Sequence, residues 1–132
     1  MRDEDKKALS ELRLENAKTL LKTAKVLISV EDYKSAANRS YYAIFNAMRA
    51  ELALFGVDFK RHSAVISDFR VKFLKTEVLD KSLSDIIAEA FEVRTQCDYD
   101  DHYIISKEEV ERQVENAEIF VATIEKHLGT NQ

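Results

Sequence analysis

An arginine and an aspartate come together on a late helical segment of the chain. Arg94 lies seven residues after Ile87 and so falls on the same, otherwise apolar, helical face. Asp98 follows Arg94 by four residues, which sets the two side chains beside each other. Two interpretations stay open: an ion pair near a helix end, worth a few tenths of a kcal/mol, or a functional site that opens between helices.

Two histidines could serve as proton carriers, because histidine titrates near neutral pH. His62 lies in a basic loop, and His102 lies shortly after Arg94. An exposed histidine without a catalytic role is the alternative for both. His127, near the end of the last predicted helix, is expected only to offset the helix dipole.

Metal and cysteine chemistry have little support in the sequence. Asp98, Asp100, Asp101 and His102 could in principle hold a divalent cation, but their spacing matches no metal loop, so a solvated helix connection is expected. Cys97 is the only cysteine, and its place on the apolar face predicts a small core residue. The chain also lacks a glycine-rich phosphate loop. We therefore predict neither a metal nor a cofactor.

Residues 60–75 are locally basic although the chain carries a net charge of -4. One carboxylate, that of Asp68, stands among five cations: Lys60, Arg61, Arg70, Lys72 and Lys75. The net charge argues against a uniformly basic surface that binds nucleic acid. The stretch is either a solvated face or a patch that contacts phosphates.

Composition predicts one all-α domain over residues 1–132. Hydrophobic residues make up 45% of the chain, proline is absent, and there are two glycines. No apolar run approaches the roughly 20 residues that span a bilayer, and the N-terminus does not resemble a signal peptide. A single cysteine cannot form an internal disulfide, so the expected compartment is the reducing cytoplasm.

Periodicity and capping residues predict five helices. The first covers about residues 5–29, with Leu12 on its apolar stripe, and forms an antiparallel hairpin with the second. The predicted cap residues are Asp32 for the second helix, Ser63 for the third and Ser106, paired with Glu109 in a capping box, for the fifth. The fourth helix is expected over about 79–99. The glycines are expected to end helices, Gly56 the second and Gly129 the fifth.

The second helix is central because two tracks of side chains run along it. The apolar track consists of Ala37, Tyr41, Ile44, Met48, Leu52 and Phe55. The other track mixes aromatic and polar groups: Asn38, Tyr42, Phe45, Asn46 and Arg49. Buried polar groups need partners, so this second track either joins a structural network or lines a cleft.

Three segments together resemble a HEPN domain, most closely the small stand-alone prokaryotic group. They are residues 38–49, with Asn-Arg-Ser-Tyr-Tyr-Ala at the start, residues 60–63 and residues 94–99, with Arg-Thr-Gln-Cys-Asp-Tyr. The resemblance covers about residues 9–128. It implies an up-and-down helical bundle that forms a homodimer. It also implies a metal-independent ribonuclease toxin, often neutralised by a nucleotidyltransferase-like antitoxin.

The resemblance assigns roles to individual residues. Arg94 matches the motif arginine and would hold a scissile phosphate, oriented by Asp98. The motif histidine follows its arginine after four to six residues, whereas seven residues separate Arg94 from His102. Two outcomes are therefore open: RNA or nucleotide binding without cleavage, or cleavage that uses another base. His62 or His102 would move the proton of the 2′-hydroxyl.

The nucleic-acid contacts implied by the resemblance involve aromatic, amide and basic groups. Tyr42 or Tyr99 would stack on a base or bond to the backbone. The full predicted set is Asn38, Arg39, Tyr42, Asn46, Tyr99, Lys60 and Arg61. The rival hypothesis is a non-catalytic helical module that docks a partner protein. In that module, the role of four residues is only to stabilise the core: Asn38, Arg39, Tyr42 and Arg94.

Overall fold

The fold consists of five α-helices, as the sequence predicts. The computed structural model describes residues 2–130, with the side chain of Thr130 excepted. The helices are α1 (Asp3–Ser29), α2 (Tyr33–Ala53), α3 (His62–Phe69), α4 (Leu83–Tyr99) and α5 (Lys107–Thr130). A π-helical turn, Arg70–Leu74, continues α3. No strand occurs in this described part of the chain.

Helix α2 lies at the centre of the bundle and packs against the four other helices. Its apolar track is buried as predicted from Ala37 to Leu52. On α1, Ala17 and Ala24 are fully buried, and their small side chains allow α1 and α2 to pack closely. The side chain of Asp32 accepts a bond from the Ser35 backbone N–H (3.3 Å), which confirms the predicted N-cap.

Two residues predicted on apolar stripes are exposed instead. Leu12 is 57% exposed because the next residue, Arg13, lies on the buried face of α1 instead. Phe55 is 55% exposed because α2 ends at Ala53, before the helical register reaches it. Gly56 completes the turn with φ +73°, so the prediction of a left-handed glycine after α2 is confirmed.

Three helix boundaries differ from the prediction. Ser63 lies inside α3, which begins at His62, so it is not the cap. Helix α4 begins at Leu83 because the Asp80 carboxylate accepts a bond from the Ser82 N–H and holds a turn there. Helix α5 continues to Thr130, so Gly129 does not end it.

At the start of α5, one of the two hydrogen bonds of the predicted capping box forms. The hydroxyl of Ser106 accepts a bond from the Glu109 N–H (3.1 Å), as predicted for an N-cap. The Glu109 carboxylate accepts instead from the Tyr103 hydroxyl (2.9 Å), and so ties the α4–α5 loop to the helix.

A buried carboxylate lies among the apolar side chains of the bundle core. Glu51 on α2 is 2% exposed, and its Oε2 lies 2.5 Å from Nδ1 of His127 on α5. Burial raises the pKa of Glu51, and the bond from His127 opposes that rise. His127 therefore has a specific buried partner, which the helix-dipole prediction missed.

A pair of arginines fixes the loop between α2 and α3. Oδ1 of Asp58 accepts bonds from Arg13 (3.0 Å) and from Arg49 (2.7 Å). Arg13 also donates to the Arg49 carbonyl (3.2 Å) and is almost fully buried. The bond from Arg49 is the main cause of the lowered pKa of Asp58. We call this arrangement the Asp58 clamp.

The core predicts a large penalty for removing the Phe120 ring. Phe120 is fully buried and packs on Phe69 with ring centroids 5.8 Å apart. Phe120→Ala should lower the free energy of unfolding by about 3–5 kcal/mol, since it leaves a cavity. Ile119→Ala, at a neighbour that is 56% exposed, should stay within about 0.5 kcal/mol. Urea titration of both variants measures the difference, and equal losses would contradict this packing.

The Asp58 clamp predicts that an exposed carboxylate matters for stability. Asp58→Ala should cost about 1–3 kcal/mol, because the buried Arg13 guanidinium loses its charged acceptor. Asp5→Ala removes a carboxylate that pairs with Arg2 on the surface, and its effect should lie between about 0 and 1 kcal/mol. Chemical denaturation of the two variants tests this, and no difference between them would mean that the clamp does not hold the loop.

Candidate functional site

His62 begins α3 and lies against aromatic side chains of α2. Its Nδ1 is 3.0 Å from the Tyr41 hydroxyl oxygen. Its ring centroid is 4.3 Å from that of Phe45 and 5.6 Å from that of Tyr42. The predicted second track of α2 therefore meets the predicted proton carrier at the α2–α3 junction.

Arg94 reaches the same two tyrosines from α4. Its Nη2 donates to the Tyr42 hydroxyl (3.2 Å), and its Cζ lies 5.3 Å and 5.6 Å from the ring centroids of Tyr41 and Tyr42. Its Nε is 2.9 Å from Oδ2 of Asp98, so the predicted Arg94–Asp98 ion pair is confirmed. The Arg94 side chain is 16% exposed, which leaves the guanidinium at the edge of the core rather than sealed inside it.

The surroundings of His62 favour its neutral form. Burial lowers its pKa below the ordinary value of 6.5, and the positive charges of Arg94 and Arg49 lower it further. Burial also raises the pKa of Tyr41 to about 12, although the Arg94 charge opposes that rise. At neutral pH the site therefore holds a neutral imidazole beside a protonated phenol and a guanidinium cation.

A cleft of about 350 Å³ opens beside His62, between α2 and the α2–α3 loop. It is lined by Tyr42, Phe45, Asn46, Arg49, Asp58, Phe59, Lys60 and His62. We call it the His62 cleft. The amide of Asn46 donates to the Tyr42 carbonyl (2.9 Å), and Lys60 brings a cation to the opening.

The His62 cleft gathers some of the predicted site residues and leaves others outside. Tyr42, Asn46, Lys60 and His62 line it, while Arg94 and Asp98 join it through Tyr42. The predicted residues that do not line it are Asn38, Arg39, Arg61, Tyr99 and His102. Their roles stay predictions.

The residues outside the His62 cleft have contacts of their own. Arg39 donates to the Asn38 side chain (2.7 Å), and both are half-buried at the start of α2. Tyr99 is 77% exposed, and His102 is exposed in the α4–α5 loop. The backbone N–H of His102 bonds to Asp100. Within residues 2–130, the side chain of His102 has no bond to Arg94, whereas His62 shares the two tyrosines with it.

The predicted basic stretch is divided between two places. Lys60 lies at the His62 cleft, whereas Arg70 and Lys75 line a separate groove of about 450 Å³ between α3 and α4. Lys72 pairs with Asp68 on the preceding turn (2.5 Å). The stretch therefore does not present one continuous cationic surface.

The sequence did not predict a role in this region for Arg13, Asp58 or Phe59. Phe59 lines the cleft from the loop, and Arg13 supports the loop from α1 through the Asp58 clamp. The signal for Phe59 was an aromatic residue next to a lysine in a short loop. Arg13 gave no local signal, because its partner is 45 residues away in sequence.

Neither a metal-binding cluster nor a membrane-spanning helix is found within residues 2–130. No cluster of three or more histidine, cysteine or acidic side chains is gathered as a metal site requires. None of the helices there has the length and apolarity needed to cross a membrane. Cys97 is buried, and burial raises the pKa of its thiol, which agrees with the predicted core role.

Comparisons with known proteins connect this geometry to a family. The HEPN domain pattern matches residues 10–127. A Methanocaldococcus jannaschii protein named "Putative toxin MJ0142" is 35% identical over 115 residues, which are 87% of this chain and 78% of the relative. A Thermotoga maritima "UPF0332 protein" is 34% identical over 122 residues, 92% of each chain.

A second protein of Methanocaldococcus jannaschii, named "Putative toxin MJ0605", is 33% identical over 125 residues, 95% of this chain and 90% of the relative. The matched region begins within α1, ends within α5 and includes both His62 and Arg94. On this evidence the chain belongs to the HEPN domain family.

Proposed function

We propose that this protein binds RNA at the His62 cleft and cleaves it without a metal ion. The observation that carries the proposal is the convergence of His62 and Arg94 on adjacent tyrosines. Nδ1 of His62 lies 3.0 Å from the Tyr41 hydroxyl, and Arg94 donates to the Tyr42 hydroxyl at 3.2 Å. A neutral base and a fixed cation near one cleft are the groups that phosphodiester cleavage requires.

The reaction is an internal transfer at phosphorus. His62 accepts the proton of the ribose 2′-hydroxyl, and that oxygen attacks the adjacent phosphorus. The bond from phosphorus to the 5′-oxygen breaks, which yields a 2′,3′-cyclic phosphate and a 5′-hydroxyl after the leaving oxygen takes up a proton. Arg94 stabilises the negative charge that grows on the phosphoryl oxygens.

Tyr41 controls whether Nε2 of His62 acts as a base or as a hydrogen-bond donor. When the Tyr41 hydroxyl accepts from Nδ1–H, the lone pair of Nε2 is available as a base. When it donates to Nδ1 instead, Nε2–H becomes a donor. The phenol keeps its proton because its pKa is raised to about 12, so it supports both forms of the imidazole.

The biological setting that we propose is a cytoplasmic toxin. Two relatives bear the name "Putative toxin", which supports this role. A toxin requires neutralisation, and we propose a nucleotidyltransferase-like antitoxin partner. We also propose a homodimer, since exposed apolar side chains at Tyr99 and Ile104 next to the end of α4 favour self-association.

A non-catalytic interaction module is the second candidate, and one observation favours it. Arg94 is already engaged by Asp98, by the Tyr42 hydroxyl and by two aromatic rings. Such a residue can serve the packing of α4 on α2 alone. Substitution of Arg94 separates the two candidates.

The proposed role of Arg94 predicts that activity and stability separate. Arg94→Ala should reduce RNA cleavage about 100- to 1,000-fold, because a charge-stabilising donor is lost from the transition state. Arg94→Lys should recover only part of it, since lysine lacks the two-pronged guanidinium. Arg112→Ala, at an exposed arginine of α5, is the control and should retain activity.

Cleavage and thermal melting are measured on the same preparations of these variants. Arg94→Ala should remain folded, with a melting midpoint near that of the wild type. Activity that falls only in proportion to the folded fraction would favour the interaction module. Full activity in a folded Arg94→Ala variant would remove Arg94 from the site.

The lowered pKa of His62 predicts the acidic limb of the pH–rate profile. Because burial and the nearby arginines lower the pKa of His62 below its ordinary value of 6.5, the cleavage rate should fall to half of its maximum only at a pH below 6.5. The unfolded chain takes up the same proton at higher pH, so His62 should also reduce stability as the pH falls below 6.5. A half-maximal rate above pH 6.5 would contradict His62 as the base.

A further inference from the structure

We propose that Phe59 forms a stacking platform for one unpaired nucleobase in the His62 cleft. This inference rests on the proposed RNA function and adds a subsite to it. The base would belong to the nucleotide beside the phosphate that His62 and Arg94 act on. The ligand class is therefore single-stranded RNA, engaged through a base and not only through its phosphates.

The backbone next to Phe59 is held in place before any ligand binds. Asp58, the preceding residue, is fixed by Arg13 at 3.0 Å and by Arg49 at 2.7 Å. Phe59 itself is 40% exposed, so most of its surface is covered while part remains accessible. An accessible ring on a backbone that is held next to it suits base stacking, because little backbone freedom is lost on binding.

The other aromatic rings of the His62 cleft are engaged with one another. Phe45 is 6% exposed and lies 4.3 Å from the His62 ring, and Tyr42 meets the same two rings edge-on. These rings form a wall, and Phe59 has the largest exposed fraction of the aromatic lining. Phe59 is therefore the ring best placed to accept a base.

Polar groups beside Phe59 suit the remaining parts of a nucleotide. Asn46 uses Nδ2 to reach the Tyr42 carbonyl, and its Oδ1 has no hydrogen-bond partner among the described residues, so it can meet a base edge. Lys60 follows Phe59 directly and is exposed at the opening, where it can pair with a backbone phosphate.

The size of the His62 cleft limits what can enter. Its volume of about 350 Å³ is near the lower end of ligand pockets, which run from about 300 to 1,000 Å³. One nucleotide suits such a volume, whereas the bases of a duplex are stacked on each other and cannot present a face to Phe59. Single-stranded RNA should therefore bind more tightly than a duplex of the same sequence.

The test compares two exposed phenylalanines of the same loop region. Phe55 is 55% exposed and packs on Phe73 outside the His62 cleft, so Phe55→Ala is a matched control for Phe59→Ala. Binding of a fluorescent single-stranded RNA oligonucleotide is measured by anisotropy at fixed salt. Phe59→Ala should weaken binding about 5- to 150-fold, the loss expected for one base–aromatic stack. Phe55→Ala should bind like the wild type, and Phe59→Trp should retain affinity.

A base-free oligomer separates stacking from other effects of the substitution. The same measurement uses an abasic ribose-phosphate oligomer of equal length. Wild type and Phe59→Ala should bind it equally, because it offers no base to stack. A drop of the same size with the abasic oligomer would assign the effect to the loop backbone or to charge and overturn the platform. Melting curves of each variant verify that all of them are folded.

The outcomes distinguish this inference from the function on which it rests. If the wild type binds RNA and both alanine variants bind it equally well, the Phe59 platform is wrong and the RNA function stands. If the wild type binds no RNA at low salt, the proposed function fails and the platform fails with it. Tighter binding of duplex than of single strand would also overturn the platform.

Discussion

The structure depends on how a nearly buried helix satisfies its polar side chains. Helix α2 contacts all the other helices, so its polar groups have little access to water. Three of its polar side chains bond to residues of other elements: Glu51 to His127, Arg49 to Asp58, and the Tyr41 hydroxyl to His62. An unpaired group in these positions would cost about 1–3 kcal/mol. The partners come from other elements, so satisfying α2 also fixes how those elements sit around it.

The α2–α3 loop shows how this constraint produces a cleft. Asp58 is shared by Arg13 of α1 and Arg49 of α2, and these bonds tie the loop to both helices at a defined position. The space that remains between loop and helix is the His62 cleft. The same ion pairs that stabilise the hairpin of α1 and α2 therefore shape the surface that a ligand would meet.

The paired tyrosines of α2 link the two reactive groups of the site. Tyr41 is buried and bonds to His62, while Tyr42 is half-buried and bonds to Arg94. Because the Arg94 charge acts on His62, it favours the neutral imidazole, which burial favours as well. Arg94 thus influences the proton affinity of His62 without touching it, and the tyrosines set how close the two groups can come.

Sequence by itself determined the features that depend on residues close together in the chain. Five helices, the Asp32 and Ser106 caps, the left-handed Gly56 and the Arg94–Asp98 pair all follow from spacings of four residues or fewer, or from composition. Tertiary structure alone decided which histidine lies beside Arg94, because His62 is on another element and His102, although nearer in sequence, lies in an exposed loop. It also decided that Arg13, and not Leu12, lies on the buried face of α1. The carboxylate that makes this burial possible is that of Asp58, in the α2–α3 loop.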